Sequence, residues 1–258
     1  MKIAVCVKQI PDPAAPQKLD ASFNLARDGK LIMDESDSYG VEMALQLVDK
    51  AGEGEVVLFS MAPRGEVSGI RNALAMGATR GVLVSDEALE GSDALSTAKV
   101  LAKAIGREPF DLVIAATESS DGYTGTTPVQ IAELLGIASV TSAKKVEVDG
   151  ATLKVNRQTE AGFDEVAVKL PALVSVTAGV VEPRYPSFKG IMAAKSKPVE
   201  VLSVADLGLS PQEVGKDGAR EEITAVKAAD ARTAGTIIED DGEGYAKIID
   251  YLEQLKVI

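Results

Sequence analysis

The residues best suited to chemistry lie in one run, ATESSDGYTGTTP, from Ala116 to Pro128. It leaves an apolar, strand-like segment and leads into a helical pattern, which is where ligands bind in open α/β sheets. Gly122 and Gly125 let backbone amides approach an anion. Ser119, Ser120, Thr124, Thr126 and Thr127 add hydroxyl donors, and the helix start supplies the positive end of its dipole. That chemistry suits phosphate. The run has no Walker lysine and no G-x-G-x-x-G spacing, so a helix start rich in capping residues is the competing reading. Asp121 would cap the loop or hold a ribose or an ammonium group. The acids of DESDSYG and TESSDG have the composition of magnesium ligands, but both stretches immediately precede predicted helices, and N-capping is the stronger reading.

Histidine is absent from the chain. This removes the commonest general base and metal ligand, together with any Ser-His-Asp or Cys-His arrangement. The single cysteine, Cys6, sits in the apolar run Ile3 to Val7. A disulfide within the chain is impossible, and a buried, inert thiol is the expectation.

A second run, PRYPSFKGIMAAKSKPVEV from Pro183 to Val201, is too ordered in composition for a linker and too poor in acid/base groups for catalysis. Prolines stiffen its start, and Phe188 stands in a turn-prone setting before Gly190. An exposed aromatic in such a segment points to docking, because it lowers solubility unless something covers it. Arg184 and Tyr185 have a structural alternative, bracing and covering a hairpin edge. The formal charge of -12 argues against nucleic acid as a partner. Arg184, Lys189, Lys195 and Lys197 nevertheless form a locally basic stretch without acids, which suits an acidic protein partner.

The elements that must position these runs follow from hydrophobic spacing. Lys2 to Val7, Val56 to Ser60, Val82 to Val84 and Leu112 to Ala116 are continuous apolar runs, as expected of strands buried on both faces of a parallel sheet. Between them, Val41, Ala44, Leu45 and Val48 keep helical spacing up to Gly52, and Val67, Ile70 and Leu74 do so up to Gly77. A third helix is expected behind a Ser92 cap, and a fourth from about Thr126 to Gly136. This series predicts an α/β, doubly wound, mostly parallel, Rossmann-like sheet. After Ser142 the pattern alternates through Lys145 to Val148, Thr152 to Asn156, Glu165 to Lys169 and Ala172 to Val176. The Asp149-Gly150 pair marks a hairpin, read as an antiparallel addition to the same sheet. Residues 210 to 244 are polar and glycine-rich and are expected not to bury themselves. The stripe Tyr245, Ile248, Ile249, Leu252 and Leu255 then returns to helical spacing. The expected division is an α/β domain over 1–209 and an arm with a terminal helix over 210–258, which by pattern alone either clasps a partner subunit or folds back onto the chain's own core. With 258 residues, 46% of them hydrophobic, the chain has material for a proper core. No apolar run reaches the ~20 residues of a bilayer helix, and the start lacks a cleavage site, so a cytoplasmic protein is expected.

PRYPSFKGIMAAK, preceded by VNRQTEAGFDEVAVKLPALVSV, resembles the signature region of the electron transfer flavoprotein beta subunit. Arg157, Gly162, Pro171, Pro183, Arg184 and Tyr185 meet its pattern. The likeness extends to AVCVKQIPD, IRNALAMGATRGV and RTAGTIIEDDGEG. It implies that Cys6, Asp34, Ser36, Asp37, Met61, Ala116, Thr117, Glu118, Ser119, Asp121, Gly122 and Thr124 surround a bound AMP. It further implies that FAD is held mainly by an alpha subunit, and that this chain makes no bonds of its own. Arg184, Tyr185, Phe188, Ile191 and Lys195 would dock acyl-CoA or related dehydrogenases of fatty acid oxidation, with electrons passing to a membrane quinone reductase. The loop after Ala116 is shorter than in some relatives. Pro13 stands where some place a tyrosine near the flavin, and Ala193 where some have a modifiable lysine. Three rivals stand beside this reading: a bifurcating form with a second FAD in place of AMP, an ATP-binding or ATP-hydrolysing α/β protein, and a purely structural interaction module.

Overall fold

The computed structural model describes residues 1–21, 23–227, 235–240 and 242–258. Of the RTAGTIIEDDGEG stretch, Arg232, Thr233, Ala234 and Asp241 therefore lie outside the described residues. Two compact units are present, Met1–Ile223 and Thr224–Ile258.

The first unit opens with β1 (Lys2–Cys6), the short β2 (Gln9–Pro11) and β3 (Leu31–Met33), then α1 (Glu35–Ala51), β4 (Glu55–Ala62), α2 (Ser68–Met76) and β5 (Arg80–Ser85). It continues through α3 (Ala94–Ile105), β6 (Leu112–Ala116), α4 (Thr127–Leu135) and the long β7 (Ala138–Asp149). β8 (Thr152–Thr159), β9 (Gly162–Lys169), β10 (Ala172–Val176), α5 (Phe188–Ala194), β11 (Val199–Leu202) and the single turn α6 (Gly215–Gly218) complete it. Nine strands form one sheet in the order β11-β5-β4-β1-β6-β10-β7-β8-β9. All neighbours from β11 to β7 run parallel, and only the β7-β8 and β8-β9 pairs are antiparallel. β2 and β3 pair separately as a small antiparallel ribbon.

The period-two geometry of the strands explains the two cores. Along β1, Ile3 and Val5 enter one apolar cluster and Ala4 the other; along β4, Val56 and Leu58 part from Val57 and Phe59 in the same way. α1 and α2 close the first face through Val41, Ala44, Leu45, Ile70 and Leu74. α3 and α4 close the second through Ala98, Leu101, Ile131 and Ala132. This is the doubly wound arrangement that the apolar runs predict.

The structure departs from the sequence reading at several points. Ala172–Val176 is not another half-exposed strand of the antiparallel series: all five residues are buried, parallel to β6 on one side and β7 on the other. The N-cap of α3 is Asp93, whose carboxylate accepts from the Ser96 amide, and not Ser92. Segment 183–201 holds a short helix and the start of an edge strand, and Phe188 is the first residue of that helix, capped by Ser187.

The compact unit also runs past residue 209. Val214 is fully buried, and the Asp93 carboxylate accepts from the Arg220 and Glu221 amides at 2.6 and 3.3 Å. Gly215 makes this seating possible, with φ at +60° and the position of a Cβ only 1.9 Å from the Ala88 carbonyl oxygen. In the second unit, α7 (Gly244–Gln254) forms where the apolar stripe predicts it, and Tyr245, Ile248, Ile249 and Leu255 on it and just beyond it are exposed. No described helix is long and apolar enough to cross a membrane.

Gly215→Ala should lower the unfolding free energy by about 2 kcal/mol or more, through backbone strain and the clash with a main-chain oxygen. Urea denaturation followed by circular dichroism reads this directly; parental stability would show that residues 210–223 are not seated as described.

Candidate functional site

Because the strands from β11 to β7 are parallel, their carboxyl ends share one rim, and the loops after β1, β4 and β6 meet there. β6 hands over to the loop at Ala116, and Thr117 is held by its amide and hydroxyl, both donating to the Val176 carbonyl of β10 at 3.0 and 3.1 Å. Tyr123, at the loop's tip, has φ of 49° and is exposed, its amide donating to the Ser119 carbonyl. The amides of Gly122, Thr124, Gly125 and Thr126 meet no main-chain acceptor among the described residues. Thr124 and Thr126 are exposed at the surface.

Three carboxylates lie at this rim. Asp34 is fully buried and caps α1, accepting from the Ser36 amide at 3.0 Å. Its other oxygen accepts from the amide and hydroxyl of Ser120 at 2.7 and 3.0 Å, which ties the β6 loop to the start of α1. Asp37 accepts from the Lys8 amide. Burial holds Asp37 well above the usual carboxylate range, with the negative charges of Asp34 and Asp121 adding to it. Asp121 receives the Lys8 ammonium on one oxygen at 2.6 Å and the Arg27 guanidinium on the other. Burial pushes Asp121 up, but the two cations outweigh it and leave its carboxyl below the usual range.

The acids of DESDSYG thus divide: Asp34 caps, as expected, whereas Asp121 of TESSDG binds cations. The N-cap position of α4 is Thr126, which makes no side-chain capping bond. Among the described residues no group of three or more carboxylates or thiols converges as a metal site. Cys6 lies beside Asp37, and burial first, then the Asp37 charge, pushes its thiol up to about 12, which makes it a poor nucleophile. Cys6 and Met61 both pack on the α3/α4 side of the sheet. Of the expected set, Asp34 meets Ser120 and Cys6 lies beside Asp37, while Met61 stands near the end of β4 on the α3/α4 side.

Sequence reasoning passed over Lys8, Gln9 and Arg27. Gln9 is buried; its amide group donates to the Glu66 carbonyl and its oxygen accepts from the Gly69 amide, joining the β4–α2 loop to the rim. Lys8 also donates to the Ser119 hydroxyl at 3.0 Å, and Arg27 to the Gln9 carbonyl at 2.9 Å. The signal available was weak, since a lysine and an arginine near a strand end look like ordinary surface charge.

The proline-bounded segment forms a separate surface. Tyr185 is 93% exposed and Phe188 81%. Ile191, Met192 and Lys195 follow Phe188 at helical spacing and are exposed. Beneath them the segment is firmly held. Arg184 clamps the buried Glu42 of α1 at 2.7 and 3.1 Å and reaches Asp49 at 3.1 Å. Arg71 of α2 donates to the Ala194 and Lys197 carbonyls, and Lys197 donates to those of Leu74 and Ala78. Gly190 allows the approach of α5 to α2, because a Cβ there would lie 2.4 Å from the Ala75 carbonyl oxygen. Arg184 and Lys197 thus spend their donors inside the chain, although Arg184 stays exposed like Lys189 and Lys195. Arg157 stands on β8 opposite Asp164 of β9, away from both surfaces.

Asp37→Asn should separate the roles at the rim. A raised folded pKa contributes stability below the ordinary carboxylate value of about 4 that is lost as pH rises through the folded value. Asparagine keeps the acceptor for the Lys8 amide and does not titrate. The variant should therefore gain stability relative to the parent as pH rises above about 4 in chemical denaturation; a pH-independent difference would contradict the burial of an acid there.

A family model described as the electron transfer flavoprotein domain matches residues 22–207. The electron transfer flavoprotein subunit beta of Mycobacterium tuberculosis (strain ATCC 25618 / H37Rv) is 40% identical, over 99% of this chain and 99% of its own. The protein of that description from Thermoanaerobacterium thermosaccharolyticum is 35% identical over 100% of both. The caffeyl-CoA reductase-Etf complex subunit CarD of Acetobacterium woodii is 32% identical over 92% of each.

Proposed function

This chain belongs to the electron transfer flavoprotein family as a beta subunit, and from that premise we propose that it binds AMP at the rim loop, supports an FAD-bearing alpha subunit and docks acyl-CoA-type dehydrogenases. Electrons then pass on to a membrane quinone reductase. The observation that carries the AMP reading is the β6–α4 loop: four amides without main-chain acceptors and two exposed threonines, beside the Lys8 ammonium. Backbone N–H groups of this kind at a helix start fit an anion.

FAD, bound mainly by the alpha subunit, supplies the redox chemistry. The residues of this chain bind, orient and dock. Asp34 and Ser120 fix the loop to α1, while Gln9 fixes the neighbouring loop. Tyr185, Phe188, Ile191 and Lys195 offer a small apolar and basic surface whose backbone is already held by Arg184, Arg71 and Lys197. A modest interface of this type releases quickly, which suits a carrier that exchanges partners. The exposed residues of α7 supply an apolar face for the alpha subunit. In this reading the chain works in the cytoplasm and meets the membrane through the reductase.

A second reading, a bifurcating form with FAD in the AMP pocket, draws support from the likeness to CarD. AMP is favoured because PRYPSFKGIMAAK most resembles the simple donor-docking forms. The ATP-hydrolysing reading leaves the Phe188 surface without a use.

Phe188→Ala, in the heterodimer with its alpha subunit, should slow electron acceptance from an acyl-CoA dehydrogenase about tenfold or more, as expected for a central aromatic anchor. Flavin content should be unchanged. Parental transfer kinetics would remove the docking role, and ATP turnover by the chain alone would move the assignment to the hydrolase.

A further inference from the structure

We propose that Lys8 and Arg27 are the cationic wall of the phosphate subsite, that Asp121 is their positioning residue, and that Arg27 thereby couples the 12–30 excursion to ligand binding. The inference rests on the nucleotide reading above and adds to it two residues and one segment of the chain.

The charge count is the first argument. Asp121 offers one negative charge to two cations, one on each oxygen, while the rim's other buried acids take their donors elsewhere, Asp34 from Ser36 and Ser120 and Asp37 from the Lys8 amide. Exposure gives the second argument: the Asp121 side chain is 6% exposed, against 42% for Lys8 and 32% for Arg27. The anion lies beneath while the cations reach solvent. Donor inventory gives the third. Lys8 has three ammonium hydrogens and spends two, on Asp121 and Ser119. Arg27 has five donors and spends its two terminal nitrogens on the Gln9 carbonyl and Asp121, which fixes the plane of a fork suited to phosphate.

Position links these cations to the loop. The Lys8 nitrogen is 3.7 Å from where a Cβ of Gly122 would stand, and Gly122 is one of the loop amides that meet no main-chain acceptor among the described residues. A 5′-phosphate seated on those amides would meet Lys8 from the β1–β2 turn and Arg27 from the excursion. The excursion itself is closed at its base by the Asp12 amide donating to the Lys30 carbonyl and by the short β2-β3 ribbon. Arg27 is the side chain that carries it across to Asp121 and the β6 loop.

The test compares AMP, adenosine and FAD binding by calorimetry on the full chain as it purifies, freed of endogenous nucleotide. Arg27→Gln and Lys8→Gln should each weaken AMP about tenfold or more while leaving adenosine unchanged, as loss of a charged hydrogen bond predicts. Asp121→Asn should lower the same AMP-to-adenosine ratio, and Arg27→Lys should restore part of what Arg27→Gln loses. AMP should slow tryptic cleavage at the exposed Lys18 in the parent and not in Arg27→Gln. Equal weakening of AMP and adenosine, or an unchanged ratio in all variants, would overturn the proposal and leave the cluster structural. Binding of FAD with no response to AMP would overturn the monophosphate assignment. A parent that binds none of the three would instead overturn the nucleotide reading itself.

Discussion

A carboxylate taken out of water has to be hydrogen-bonded, paired or protonated, and the rim of this sheet depends on how three of them are accommodated. Asp34 is met by three donors from Ser36 and Ser120. Asp121 is met by two cations from distant parts of the chain. Asp37, with one amide for a partner, is driven by burial toward its protonated form. Each accommodation joins segments that the topology only brings near: α1 to the β6 loop, the β1–β2 turn to α1, and the 12–30 excursion to the loop. The parallel sheet gathers the loops at one end, and the carboxylates fix their spacing.

The docking surface obeys a related economy of side chains. Its cations were expected to face a partner, yet two of the four spend their donors inside the chain. Arg184 neutralises Glu42, and Lys197 accepts the role of capping the carbonyls at the end of α2. What remains outside is mostly apolar, on a helix held against α2 by main-chain contacts. Holding the backbone before a partner arrives reduces the ordering cost of binding, and this is how so small a surface serves specific recognition.

Much of this was legible in the sequence. Continuous apolar runs mark β1, β4, β5 and β6 to within a residue or two of their ends, and the Asp149-Gly150 pair marks the β7-β8 turn. Ala172–Val176 misleads because it follows three alternating strands, whereas its own composition is that of a strand buried on both faces. α5 is missed because it is only seven residues long with Gly190 inside it, and glycine there reports a close approach to α2 instead of a turn. Residues 210–223 read as unable to bury themselves, since the contacts that seat them are a single valine, a left-handed glycine and backbone bonds to Asp93. At the site, the loop chemistry and the acids are visible in sequence. The pairing of Asp121 with Lys8 and Arg27 is not, because ion pairs separated by roughly a hundred residues carry no local pattern.

The account stands most directly on what the rim loop holds. The heterodimer formed with the alpha subunit should be purified and denatured, and the released nucleotides identified and counted by mass spectrometry. AMP and FAD in equal amounts, one of each per heterodimer, is the result the account predicts. Two FAD with no AMP, or no nucleotide beyond the alpha subunit's FAD, would contradict it.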